Sequence, residues 1–329
     1  MTFTISPIST LVLEQLLSKF KKHAVTTSSI EVFKDIACKV AMIQNTKTPT
    51  IVKPKHFIVV ASHGVADEFN IKNEIDLEIK SLIQGTSIIN NLNRDNYIDI
   101  TIVNAGLSIK LPKHNSIIDY KIGKQTRNYC KVAAMEFSNY EQGIANGVDL
   151  ILKSSNNGIN CISFGTIAPE SLFSASFITS ALTNTELEEC ISLNNTPKKD
   201  REFILEKIQK AYTLHTPMTL IDTMCIYGSY DMVTIVGGIL KAAELNMVIL
   251  IDSFVPAAAL LYAFQINENV LDYCMFTNQS NHRGHQIIID FFEKKTILDL
   301  DFESNLGLGV PIALPVINGT IDWLSTIQE

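Results

Sequence analysis

Five apolar runs of strand length constrain this chain more than any other feature: His56–Ala61 (HFIVVA), Ile98–Asn104 (IDITIVN), Ile159–Phe164 (INCISF), Met247–Ile251 (MVILI) and Tyr273–Thr277 (YCMFT). Most are rich in valine and isoleucine and do not alternate strictly with polar residues. A strand that is apolar on both faces has no solvent side, which is the pattern of a parallel sheet covered on both faces. Between the runs lie helical patterns at Glu74–Leu92, Asn139–Lys153, Leu172–Leu182, Glu202–Tyr212, Asp231–Glu244 and Pro256–Phe264. Strands alternating with helices require right-handed crossovers, so the pattern predicts an α/β fold with a doubly wound parallel sheet.

The chain ends read differently. Leu11–Lys22 and Ile30–Gln44 have helical spacing with no strand between them, and Gly309–Ile327 is helical again. The expected organisation is residues 1–50 as the helical part of a small domain, 51–300 as the α/β domain, and 301–329 as a loop and helix that join the small domain. A chain of 329 residues can bury a large core, and 46% hydrophobic with 19% charged residues is a folded composition. The net charge of −7 argues against a general nucleic-acid binder. The basic run KFKKH near Lys19 reads as a solvated helix face. No apolar stretch reaches about 18 residues, so no membrane span is expected. MTFTISPIST lacks the layout of a secretory signal. The six cysteines, at 38, 130, 161, 190, 225 and 274, form no CxxC pair. They read as buried thiols of a reducing, cytoplasmic compartment rather than zinc ligands or a redox motif.

Ligands of open α/β sheets bind outside the carboxyl ends of the strands. Those ends carry small and polar residues here: Ser62–Gly64 (SHG), Asn104–Gly106 (NAG), Phe164–Thr166 (FGT) and Asp252–Phe254 (DSF). Each alone is explained by a tight turn; together they point to a shared crevice. The phosphate and dinucleotide fingerprints GxxxxGK[ST] and GxGxxG are absent, as is the GxSxG elbow of serine hydrolases. Gly307 and Gly309 precede a helix, where backbone amides can hold an anion, although helix entry alone explains them. His282 and His285 (HRGH) lack a third ligand at a recognised spacing, so a structural or surface role outranks metal binding, and neither metal nor cofactor is expected. Asp299, Asp301 and Glu303 bunch before the glycines as a solvated acidic turn or as a base beside an anion loop.

Taken in order, these segments resemble the nicotinate-nucleotide–dimethylbenzimidazole phosphoribosyltransferase family. SHGVADE at Ser62–Glu68 is similar to the family's DHGVAAE, GTSIINNLNR at Gly85–Arg94 to GGAAINVLAR, and VNAGL at Val103–Leu107 to VDVGV. The segments from Thr126 to Gly147 keep the family order. Tyr230–Leu261 resembles FEIAALAGAIL…VPVLLDGFIVTAAALL, and SNHRGH at Ser280–His285 resembles SAEPGH. The resemblance implies a Rossmann-like sheet with a small helical domain built from both chain ends. It implies a homodimer that moves phosphoribose from nicotinate mononucleotide to a benzimidazole-type base without a metal, using a glutamate as general base.

The departures fall on the chemistry. In the family's GEGTGA segment the first glycine corresponds to Asn305, the glutamate to Leu306, and the next glycines to Gly307 and Gly309. A leucine cannot accept a proton. The family's GEMGIGNTTPAS frame places Gly165 on its first glycine and Thr166 on its acid. Its nucleotide loop becomes APES, Ala168–Ser171. The aspartate of DHG is Ser62, beside His63; the HRS segment falls on Asn278, Gln279 and Ser280; an expected lysine falls on Ile204. The acid of the family's GGFE is kept in kind as Asp231. The resemblance thus assigns nucleotide binding to Gly165, Thr166, Ser171, Asn305, Gly307 and Gly309, and a base pocket to Ser62, His63, Asp252 and Ser280. Glu303 or Glu170 would have to stand in for the lost carboxylates. Two functions follow: the family transfer to a benzimidazole-type or phenolic acceptor, or a non-catalytic relative that binds nucleotide or pairs with an active homologue as a heterodimer.

Overall fold

The computed structural model describes residues 1–22, 30–69, 75–168, 170–193, 198–302 and 304–327. Two helices open the chain, α1 (Thr10–Lys22) and α2 (Glu31–Ile43). Strand β1 (Lys55–Ala61) is followed by α3 (Ala66–Phe69), α4 (Ile75–Gln84) and α5 (Ile88–Asp95), then by β2 (Asp99–Gly106) and the short β3 (Ile117–Asp119). Next come α6 (Phe137–Asn156), β4 (Cys161–Ile167), α7 (Ser171–Thr183), α8 (Lys198–Leu214), α9 (Leu220–Tyr227) and α10 (Tyr230–Glu244). Strand β5 (Val248–Ile251), α11 (Phe254–Ile266), β6 (Cys274–Phe276), α12 (Arg283–Phe291) and α13 (Gly309–Thr326) complete it.

The six strands form one sheet in the order β3-β2-β1-β4-β5-β6, and every pairing is parallel. The doubly wound α/β expectation therefore holds. The strand order reverses between β1 and β4, and a crevice forms at the carboxyl ends of strands at such a reversal. Side chains alternate along β1: Ile58 and Val60 meet Ile75, Ile79, Leu82 and Ile89 of α4 and α5. Phe57, Val59 and Ala61 belong to the main core with Tyr140 and Ile144 of α6 and residues of α10. Both faces of β1 are covered, which is why HFIVVA carries no polar alternation.

Two differences from the sequence reading have local causes. The single helix expected over Glu74–Leu92 is two helices, because Gly85 adopts the left-handed conformation (φ +71°), which ends α4. Helices α9 and α12 and the three-residue β3 lie in segments whose periodicity is too short to stand out. At the chain ends, Val12, Leu16 and Phe20 of α1 pack with Ala37, Cys38 and Ala41 of α2 and Leu324 of α13, and Phe20 stacks on Trp323 at 5.4 Å. No described helix is long and apolar enough to cross a membrane.

Helices α6 and α10 approach backbone to backbone. A Cβ on Gly147 would lie 2.1 Å from the Thr234 carbonyl oxygen, and one on Gly237 would lie 2.3 Å from that of Ile144. Alanine gains up to about 1 kcal/mol in helix propensity, but neither backbone can yield without parting the helices. Gly147→Ala is expected to lower stability by about 1–3 kcal/mol through overpacking, read as a lower urea midpoint with unchanged slope.

Candidate active site

The loop before α13 is clamped onto the sheet by its own backbone. The Thr166 amide donates to the Asn305 carbonyl at 2.7 Å. His56 reaches the Leu306 carbonyl through Nε2 at 2.8 Å and Ser163 Oγ through Nδ1 at 2.7 Å. A carbonyl cannot donate, so Nε2 carries the proton and Nδ1 accepts from the Ser163 hydroxyl. Burial lowers the His56 pKa to about 4, against the hydrogen bond to Leu306, so the ring is the neutral bridge this arrangement needs. Gly165 and Gly307 make the seat possible. A Cβ on Gly165 would meet the Leu306 carbonyl carbon and oxygen at 2.7 Å. Gly307 has φ +76°, and a Cβ there would meet His56 Cε1 at 2.5 Å.

The start of α13 is held by Asp252, just past the end of β5. The Gly309 amide donates to Asp252 Oδ2 at 3.0 Å, and the Thr277 hydroxyl to Oδ1 at 2.6 Å. A Cβ on Gly309 would lie 2.0 Å from Asp252 Oδ1, so the close approach requires glycine. Burial raises the Asp252 pKa from 3.8 to about 6, opposed by these two hydrogen bonds. Between about pH 4 and 6 the folded chain keeps a proton that the unfolded chain has released. Stability contributed by this group therefore falls as pH rises through that window, by about 3 kcal/mol at most, and levels off above it. Asp252→Asn is expected to flatten that slope in urea titrations between pH 4 and 7; an unchanged slope would assign it to another group.

The second group of polar residues sits at the strand ends beside the β1/β4 reversal. His63 Nε2 lies 3.3 Å from Asp231 Oδ1 and 3.1 Å from Ser171 Oγ, and Ser171 donates to Asp231 Oδ2 at 2.5 Å. With the serine proton committed to Asp231, the imidazole N–H is shared between the carboxylate and the serine oxygen. All three are buried. Burial lowers the His63 pKa, but the hydrogen bond and charge of Asp231 and the charge of Glu170 outweigh it and the net shift is upward. Burial raises the Asp231 pKa, yet the hydrogen bond and charge of His63 bring it below its ordinary value. Both shifts favour the charged forms of the pair. Glu170 is fully buried, and neither of its carboxylate oxygens has a hydrogen-bond partner among the described residues. The hydroxyls of Thr166, Ser174 and Tyr129 are likewise buried without partners among them.

The sequence-assigned residues thus divide. Gly165, Thr166, Asn305, Leu306, Gly307, Gly309 and Asp252 meet around the loop. His63 and Ser171 meet at Asp231. Ser62 belongs to neither: its Oγ is 3.1 Å from Ser108 Oγ and accepts from the Ser108 amide, tying the ends of β1 and β2. Ser280 is engaged with His285, Oγ to Nδ1 at 2.9 Å. His282 accepts the Gly284 amide at the start of α12, and burial lowers the pKa of both histidines, to about 4 and about 3. HRGH therefore builds a helix start, and among the described residues no three His, Cys, Asp or Glu side chains are grouped to hold a metal. Leu306, with Leu308, packs on the apolar cluster of Ile58, Val60 and Ile167. Ile204 is buried with Phe69, Phe173 and Tyr227. Glu303 lies outside the described residues. The sequence reading passed over His56 and Ser163, which read only as strand residues; the lone polar histidine opening an otherwise apolar strand was their signal.

A family model described as phosphoribosyltransferase matches residues 5–329. A nicotinate-nucleotide–dimethylbenzimidazole phosphoribosyltransferase of Bacteroides fragilis is 28% identical over 335 aligned positions, covering 100% of this chain and 96% of the relative. One of the same description from Parabacteroides distasonis is 29% identical over 309 positions, covering 92% and 89%. The crystal structure of an enzyme so named from Thermus thermophilus superposes with a TM-score of 0.87 at 19% identity, over 95% of each chain.

Proposed function

The chain belongs to the nicotinate-nucleotide–dimethylbenzimidazole phosphoribosyltransferase family, and on that premise we propose that it transfers phosphoribose from nicotinate mononucleotide to a benzimidazole-type or phenolic acceptor. The observation that carries the reading is the family match along nearly the whole chain, residues 5–329. In the proposed step the bond between the ribose anomeric carbon and the nicotinate nitrogen breaks. Its electron pair stays on that nitrogen and removes the ring's positive charge. The acceptor nitrogen or phenolic oxygen forms the new bond to the anomeric carbon and loses its proton to a base or to water.

A second reading has a specific observation behind it. Leu306 stands where the resemblance puts the base and packs on apolar side chains. Without a positioned base, transfer slows by a factor of about 10²–10⁴, and the chain would then serve as a nucleotide-binding relative or as the partner of an active homologue. Purified chain incubated with nicotinate mononucleotide and dimethylbenzimidazole or phenol decides between them. Acceptor-dependent release of nicotinate supports the transferase. Nucleotide binding without release for any acceptor rejects it in favour of the binding role.

A further inference from the structure

A cavity of about 620 Å³ lies at the β2–β3 edge of the sheet, lined by the connection between the two strands, residues 108–115, and by residues of both strands, apart from the loop held by His56 and Asp252. Its lining includes Lys110, Lys113, Lys121 and His114 together with Asp119 and Asn104. Three lysines line this one cavity, in a chain of net charge −7. Among the described residues no carboxylate forms an ion pair with Lys110, Lys113 or Lys121. The one lining carboxylate, Asp119, is engaged by the Asn104 side-chain amide at 2.8 Å. The Lys121 ammonium donates to the Leu107 carbonyl, which positions this exposed lysine beside the cavity. Ser108, which lines the cavity, contacts Ser62 just past the carboxyl end of β1, the side of the sheet where α/β folds take ligands.

We propose that this cavity binds the phosphate of a small phosphorylated molecule through Lys110, Lys113 and Lys121. Size and chemistry agree. The volume lies within the range of small-molecule sites, roughly 300–1,000 Å³. A phosphate monoester carries nearly two negative charges and three acceptor oxygens, so it satisfies several ammonium donors at once, which a single carboxylate does not. The ligand is either the nucleotide donor itself, seated by its phosphate, or a separate phosphorylated metabolite. Phosphate binding here does not depend on the transfer reaction.

The full chain titrated calorimetrically with pyrophosphate, and separately with nicotinate mononucleotide, tests the site. Lys110 and Lys113 are exposed and make no hydrogen bond among the described residues, so the double variant K110Q/K113Q should keep the wild-type thermal midpoint. Its affinity for pyrophosphate is expected to fall at least ten-fold. Parallel loss of nicotinate mononucleotide affinity would identify the nucleotide as the ligand. Unchanged nucleotide affinity would assign the cavity to a separate phosphorylated molecule. Pyrophosphate that binds both proteins equally, or neither, overturns the proposal. Amine acetylation read by mass spectrometry checks it without a variant: pyrophosphate should protect Lys110 and Lys113 several-fold over exposed Lys47 and Lys80, and equal labelling overturns it. Nicotinate release is scored separately, so an inactive chain that still binds phosphate rejects the transferase reading alone.

Discussion

Replacing Leu306 by glutamate should raise acceptor-dependent nicotinate release by about a hundred-fold or more, the reverse of the usual cost of removing a general base. The backbone of position 306 is already placed: its carbonyl is held by His56 and lies against Gly165. The side chain is half-buried against Ile58, Val60 and Ile167. A carboxyl there would be partly desolvated, which disfavours its charged form and raises its proton affinity toward the range a base needs near neutral pH. The substitution also removes apolar contact, so a loss of about 1–2 kcal/mol in stability should accompany the gain in rate. Steady-state kinetics of Leu306→Glu beside the wild-type chain measure the gain, and urea unfolding of both measures the loss. A variant that binds nicotinate mononucleotide yet shows no rise in turnover would mean that the missing acid is not what limits this protein.

Removing Asp231 is expected to have the largest effect on stability. Asp231→Ala leaves the Nε2–H of buried His63 with Ser171 alone of these two partners, and takes from Ser171 its acceptor. Breaking a buried charged pair in this way costs about 3–5 kcal/mol, which urea unfolding at pH 6 would read directly. The pH dependence has two limbs. The Asp231 pKa is lowered in the fold, so its contribution is present above its unfolded value and is lost as pH falls through the folded one. The His63 pKa is raised, so its contribution is present below its unfolded value and is lost as pH rises through the folded one. The pair therefore stabilises most between about pH 4 and 6.5, and Asp231→Ala should remove both limbs. A variant that unfolds at the wild-type midpoint would show that the pair carries no net stability.

The parts of the fold that were legible in the sequence are those with a local signature. HFIVVA, INCISF and MVILI lack polar alternation because both their faces are covered, and each became a parallel strand. Gly85 was visible as a residue, but only its positive φ shows that it splits one helical pattern into two. HRGH reads as structural or surface residues rather than as a metal site, but its spacing does not say what the histidines do. The structure gives one histidine to the start of a helix and the other to Ser280.

The sequence by itself determined the sheet type and the order of family segments, and it placed an apolar residue at the position assigned to the base. Such features are written in hydrophobic periodicity and residue identity, and neither depends on where distant segments meet. Only the tertiary structure decided that most of the assigned site residues fall into two groups, with Ser62 and Ser280 in neither. The Leu306 carbonyl is held by His56, 250 positions earlier in the chain, and His63 is paired with Asp231 across 168. From His56 to Ala61 the strand rises roughly 16 Å, so His56 within the run and His63 just past its end serve different groups. Contacts at such separations follow from strand order and from which face each alternate side chain takes, and these are properties of the assembled sheet.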